Sequence, residues 1–208
     1  MITLPTLGKE VADPEKLASK ASKYGKVLKY VLEGISSEEA KIRFGCSKVL
    51  RMMSEDDPKK LYPHWDFFED MLDNENTFLR ANAVHIVANL TKVDSNNKFE
   101  KLFDKFYKLI DDKSMITAAN LFRVSGAIAR AKPKLQTKIT DRLLSVDKTR
   151  HSRECKNIIK GDAILTFDEY FEKSKDKKKI LDFMRKEVKN SRAATRKKAE
   201  KFLEKWDK

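Results

Sequence analysis

The stretch LYPHWDFFEDMLDNENTFLRANAVHIVANL, Leu61 to Leu90, decides the fold. Its second half, LRANAVHIVANL (Leu79 to Leu90), reads apolar, then arginine, then a small residue four positions after the first, then apolar at positions nine and twelve. IRFGCSKVLRMM (Ile42 to Met53) repeats the pattern, and TRKKAEKFLEKW (Thr195 to Trp206) repeats it with threonine in first place. Spacings of three and four place the apolar positions on one face of a helix. Cys46, Ala83 and Ala199 share the small position, where a neighbouring helix can approach closely, and Arg43, Arg80 and Arg196 share the arginine place.

Two weaker copies, ITAANLFRVSGAIA from Ile116 and CKNIIKGDAILTF from Cys155, fill the gaps at the right interval. Each copy follows another amphipathic stretch: Pro14 to Glu33, Pro58 to Leu72, Asn97 to Ile110, Pro133 to Leu144 and Asp176 to Val188. Five helical pairs result, at about residues 15–54, 58–92, 97–131, 133–171 and 176–206, within one domain of 1–208. Proline in DPEKL, DPKKL and KPKLQ suits a first helical position, where the missing N–H would be unpaired anyway. The short polar joints DNENT, DDKS and KNS offer Asn and Ser as caps for the second helices.

These units resemble HEAT repeats, whose first helix, short turn and second helix opening on a Val-Arg-like pair span about 40 residues; the resemblance covers nearly the whole chain. It implies an all-α, right-handed α-solenoid of about five hairpins, with first helices on the convex side and second helices on the concave side. The family places Asp six positions before the arginine; here Ser37, Asn74 and Asn190 hold that place, and the third unit has Asp112 but Ala118. Irregular stacking is therefore expected near the third and fourth units, and the apolar positions of the fourth fit no single register.

Composition agrees with helices. The 208 residues include six glycines, five prolines and 9% aromatics, too few turn-makers for an all-β chain. The amino-terminal residues show no basic start followed by an apolar core, and no apolar run reaches the roughly 18 residues that cross a bilayer, so a cytoplasmic protein with no membrane partner is the expectation. The net charge of +13 is uneven: residues 1–122 hold 19 basic and 19 acidic side chains, and residues 123–208 hold 26 and 13. Such a field concentrates anionic partners at one end.

Carrying one alignment along the second helices gives two outward ladders. Lys48, His85, Arg123, Lys160 and Lys201 form the basic one; Asn82, Asn120 and Asn157, ending at Lys198, form the amide-rich one. Spacing of three puts each pair on one helical face. A row of amides beside a row of cations suits a long polar or anionic ligand better than a small molecule in a closed pocket.

Chemistry is sparse. Gly45, Gly126 and Gly161 lie singly inside helical patterns and form no phosphate loop; they read as close-packing points. His64, His85 and His151 lack second ligands at metal spacing, Cys46 and Cys155 lack zinc or disulfide spacing and read as buried small side chains, and no nucleophile has a predicted base. No metal, cofactor or catalytic residue is implied. A HEAT-like alkylpurine DNA glycosylase would want aromatics and a carboxylate together on the concave side, but Trp65 and Glu69 fall on an acidic first helix. The reading is a non-catalytic scaffold or adaptor that binds a protein with an acidic surface. Sequence-independent nucleic-acid binding by the basic half is the alternative, weakened by 34 lysines against 11 arginines, since bidentate base readout enlists arginine.

Overall fold

The computed structural model describes residues 6–207 and, among them, contains helices and turns but no strand. The chain divides into two compact units, Met1–Ser95 and Asn96–Lys208.

Unit 1 contains α1 (Leu7–Glu10), α2 (Pro14–Lys23), α3 (Gly25–Glu33), α4 (Ala40–Asp56), α5 (Pro58–Leu61), α6 (Trp65–Met71) and α7 (Thr77–Leu90). The helix expected over Pro14 to Glu33 is two helices, because Tyr24 is extended (φ −124°, ψ 106°) and Gly25 restarts the chain. Pro14 opens α2 and the Asp13 carboxylate caps it, accepting from the Lys16 N–H at 3.0 Å. The expected helix from Pro58 is also broken, by a 3₁₀ turn over Tyr62–His64 that contains Pro63. Helix α4 packs against α2 on one side and α7 on the other. Leu50, Val84 and Val87 on these helices are buried, as are Trp65 and Phe68 on α6, which packs against α7. At Gly45 a Cβ atom would come within 2.6 Å of the Val11 Cβ, so glycine there is a packing requirement.

Unit 2 contains α8 (Lys98–Lys108), α9 (Met115–Ala131), α10 (Gln136–Leu144), α11 (Arg153–Asp168), α12 (Lys177–Glu187) and α13 (Ala193–Trp206). Helix α11 packs between α9 and α13, with Phe99, Phe106, Phe122 and Phe167 fully buried. Two buried polar contacts fix the layers. Tyr107 hydrogen-bonds Ser125 Oγ at 3.1 Å, and burial raises its phenol above the ordinary tyrosine range. Thr166 on α11 donates to the Phe122 carbonyl on α9 at 2.7 Å.

The shared arginines have one structural role. Arg80 Nη1 donates to the carbonyls of Asn74 (2.8 Å) and Glu75 (2.9 Å), closing the turn between α6 and α7. Arg43 does the same to Ser37 (2.7 Å) and Glu38 (3.2 Å), and Arg196 to Asn190 (2.7 Å) and Ser191 (3.0 Å). The residue six before each arginine also accepts, through its side chain, from the N–H two residues on: Ser37 from Glu39, Asn74 from Asn76 and Asn190 from Arg192. Asn76 and Ser114 cap α7 and α9 as the sequence suggests. Ser191 does not cap α13, which has Arg192 at its cap position without a side-chain bond.

The turns opening the third and fourth second helices lack the arginine and are tied to each other. The Asp111 carboxylate accepts from the Arg150 backbone N–H (2.6 Å) and Nε (3.0 Å), and His151 Nε2 donates to the Ile110 carbonyl at 3.1 Å. A clamp between successive turns replaces the hook within one turn.

Candidate interaction face of the second helices

Burial fixes the register of the first four second helices. Three, seven and ten residues after the arginine place stand Cys46, Leu50 and Met53 in α4; Ala83, Val87 and Leu90 in α7; Leu121, Ser125 and Ile128 in α9, none more than 1% exposed. In α11 the matching buried set is Ile159, Ala163 and Thr166 (0%, 0% and 1% exposed), which puts Lys156, not Cys155, in the arginine place. The sequence alignment of the fourth unit is therefore off by one residue. Asn157 and Lys160 fall on inward-turned positions. The positions that match the outward pair are Ile158, half-buried, and Gly161, buried, so the basic ladder has a gap at Gly161. Cys155, expected buried, is only half-buried, whereas Cys46 is buried and its thiol is pushed up to about 12 by desolvation.

Asn157 is 6% exposed and fully engaged: its amide donates to Ser191 Oγ (2.9 Å), its Oδ1 accepts from Asn190 (3.0 Å) and its carbonyl accepts from Thr195 (2.7 Å). Lys160 is held between Glu187 and Asp147, both at 2.9 Å. Burial alone would lower the Lys160 ammonium, but its hydrogen bonds to the two carboxylates more than offset this and leave it above the ordinary lysine value.

The other expected residues follow a pattern that the ladders missed. In unit 1, Lys48 is exposed and His85 half-buried. Asn82 donates to Ser47 Oγ at 2.7 Å, and Asn89, seven residues on, donates to Ser54 Oγ at 3.1 Å, seven residues after Ser47. Two rungs at heptad spacing thus join α4 to α7, so Asn82 serves the stacking of helices as well as the surface. In unit 2 the α9–α11 rungs are ionic: Arg123 to Asp162 at 3.1 Å, and Arg130 to Glu169. Between α11 and α13, Lys198 donates to the Gly161 carbonyl (3.1 Å) and Lys205 pairs with Asp168 (2.8 Å), again seven apart on both helices. Asn120 bonds within its own helix, to the Ile116 carbonyl at 2.8 Å. Lys201 is exposed. The readable signal for these rungs was the seven-residue recurrence of complementary side chains on successive second helices.

The rungs locate Leu165. It lies three and four residues from Asp162 and Gly161, and three and four from Asp168 and Glu169, so on α11 it occupies the centre of a square whose corners are the four rungs. It is 52% exposed. Four cations, Arg123, Arg130, Lys198 and Lys205, therefore frame one uncovered leucine, with Lys201 beside them. The side chains of Arg123, Arg130 and Lys205 are each more than half exposed, at 54%, 52% and 53%. The Asp162 Oδ2 is buried and accepts no well-aligned hydrogen bond, so its rung is geometrically the poorest. Such a face offers an apolar contact ringed by guanidinium and ammonium groups, the chemistry that receives an acidic segment carrying an apolar side chain.

Among the described residues, no group of three or more His, Cys, Asp or Glu side chains is placed to hold a metal ion, and no helix is long and apolar enough to cross a membrane. No protein-family model matches the chain, and no curated protein matches it. Solved structures do, among them these two. One is a designed armadillo repeat protein, with a TM-score of 0.53 at 16% identity, covering 97% of this chain and 99% of its own. The other is the crystal structure of an engineered protein, with a TM-score of 0.53 at 13% identity, covering 98% and 96%. At such identities the likeness speaks to architecture alone, and the architecture is an all-α solenoid built of helical hairpins.

Proposed function

We propose that the chain is a non-catalytic scaffold of the HEAT type that holds an acidic segment of a partner protein against its second helices, chiefly on unit 2. The observation that carries this reading is the exposed Leu165 framed by Arg123, Arg130, Lys198 and Lys205. An incoming carboxylate can take over a corner cation from its own rung, while an apolar side chain covers the leucine. At Arg123, Arg130 and Lys205 each such exchange replaces one ion pair by another, and at Lys198 it replaces a hydrogen bond to the Gly161 carbonyl, so affinity comes mainly from the apolar centre and specificity from the charged rim. Asn120 on α9 is a further member of the proposed face on unit 2, and Lys48, Asn82 and His85 on α4 and α7 are the corresponding residues of unit 1; Asn157 and Lys160 act as structural supports.

The test is affinity capture of partners from the native host with the wild-type chain and with Leu165→Asp combined with Lys201→Glu. We expect the variant to lose its protein partners while keeping its helical circular dichroism; an unchanged partner set would sink the reading. Duplex nucleic acid is the competing ligand, favoured by the 31 basic against 17 acidic side chains of residues 96–208. For it, the logarithm of affinity should fall linearly with log salt at about 0.9 per phosphate neutralised, and Leu165→Asp should matter no more than any other single added negative charge.

A further inference from the structure

A cavity of about 380 Å³ opens on the turn edge of unit 2, between the start of α11 and the end of α12. Arg153, Lys156 and Lys160 reach it from one face of α11, at spacings of three and four, and Lys186 and Lys189 reach it from α12 and the turn after it. Two acids also line it, Asp147 and Glu187, and Lys160 engages both at 2.9 Å. The other four cations have no carboxylate within ion-pair distance among the described residues; the Lys156 ammonium reaches only the Asp147 carbonyl, at 3.1 Å. Beneath them, Asn157, Asn190 and Glu187 (6%, 8% and 5% exposed) are locked by hydrogen bonds. Ser191 Oγ accepts from Asn157, which leaves its own hydrogen free to donate outward.

Four unneutralised cations around one small polar cavity repel one another, and a bound anion relieves that repulsion. We propose that this cavity binds a phosphate monoester dianion. Five cations against two acids leave an excess of three positive charges, which suits a doubly charged ligand better than a single carboxylate. The volume lies at the lower end of small-ligand sites, and the polar walls give an apolar body nothing to bury against. Lysines supply point charges to phosphate and Arg153 a bidentate fork. The monoester could be a free small molecule or a phosphorylated side chain of another protein; the recognising chemistry is the same.

The experiment titrates the full chain with inorganic phosphate and with a phosphoserine peptide, following the side-chain amides of Asn157 and Asn190 and the backbone amide of Ser191 by NMR. We expect saturable shifts at these groups. Affinity should fall about tenfold or more in Lys156→Gln/Lys189→Gln, as loss of charge-assisted hydrogen bonds does, and not in Lys59→Gln/Lys60→Gln, which removes the same charge elsewhere. It should also weaken from pH 7.5 to 5.5, because phosphate monoesters lose their second charge near pH ~6. A peptide bound much more tightly than phosphate assigns a protein-borne ligand, and comparable affinities assign a free one; both support the site. No saturation by either phosphate or the phosphoserine peptide at millimolar concentration, equal losses in the two double variants, or a single-stranded oligonucleotide bound more tightly than both would each overturn it.

Discussion

Units 1 and 2 solve one problem, holding successive second helices together, with the same spacing and different chemistry. The α4–α7 rungs are neutral, Ser47 with Asn82 and Ser54 with Asn89, whereas the rungs of unit 2 are ion pairs at Arg123, Arg130 and Lys205. The charge follows: residues 1–95 hold 14 basic and 15 acidic side chains, and residues 96–208 hold the entire excess. Neutral rungs consume their hydrogen-bonding groups. Ionic rungs with half-exposed members are worth little to stability, about 0–1 kcal/mol each, because solvent screens them. What unit 2 gains is a set of cations already standing at the surface beside Leu165, available to a ligand. The rung side chains of unit 1 are joined by neutral hydrogen bonds, whereas those of unit 2 are charged and stay about half exposed.

The sharpest way to break that comparison is to treat Lys160 as an ordinary ladder cation. Lys160 lies between two carboxylates with Glu187 buried, so Lys160→Met should cost about 3 kcal/mol or more, the scale on which removing one partner strands a buried charge. Lys201→Met, on the exposed face of α13, should fall within about 0.5 kcal/mol of wild type. Urea midpoints for the two variants measure this. Equal losses would mean that the register read from burial in α11 is wrong.

A smaller difference separates the turn hooks of the two units. Arg80 is 4% exposed and donates to two turn carbonyls, so Arg80→Ala should cost about 2–3 kcal/mol, from charged hydrogen bonds lost and acceptors left buried. Arg196 makes the same two bonds in unit 2 but is half-buried, and water can replace it at the Asn190 and Ser191 carbonyls. Its loss should cost about 1 kcal/mol by the same measurement. If both losses are alike, the hook acts through the turn conformation and not through burial.

The second repeat was legible because every local signal in it agrees: Asn76 caps, Arg80 closes the turn, and the apolar period runs unbroken from Leu79 to Leu90. The fourth was not, since α11 buries Ala163 and Thr166 where other second helices bury Leu50, Val87, Met53 or Leu90, and leaves Leu165 outside. Thr166 is tolerated there because its hydroxyl reaches the Phe122 carbonyl, a partner 44 residues away that no local pattern contains. The break at Tyr24 was hidden for the opposite reason: the apolar period continues through it, and only the backbone departs from helix. At the candidate face, the identities of Lys48, Arg123 and Lys201 were readable from spacing, but the engagement of Arg123 with Asp162 was not, because it depends on which helix lies alongside.

The smallest effect tests what replaces the hook in the third and fourth turns. Asp111 holds Arg150 through a backbone hydrogen bond and its side chain, and the backbone bond foremost keeps the Asp111 carboxyl below the usual aspartate range. A carboxyl depressed in the folded state contributes stability that is present above its unfolded value, near pH ~3.9, and is lost as pH falls through the folded value. Asp111 is near the surface, so its share is under about 1 kcal/mol. Stability measured from pH 6 to pH 2 should therefore fall slightly less steeply below pH ~4 in Asp111→Asn than in wild type, with the two curves offset above that pH and converging under acid. No such convergence is expected for Asn74→Ser in unit 1, which removes no titrating group. Parallel curves for wild type and Asp111→Asn down to pH 2 would show that the Asp111 charge contributes nothing and that the Ile110–His151 contact alone ties the two turns together.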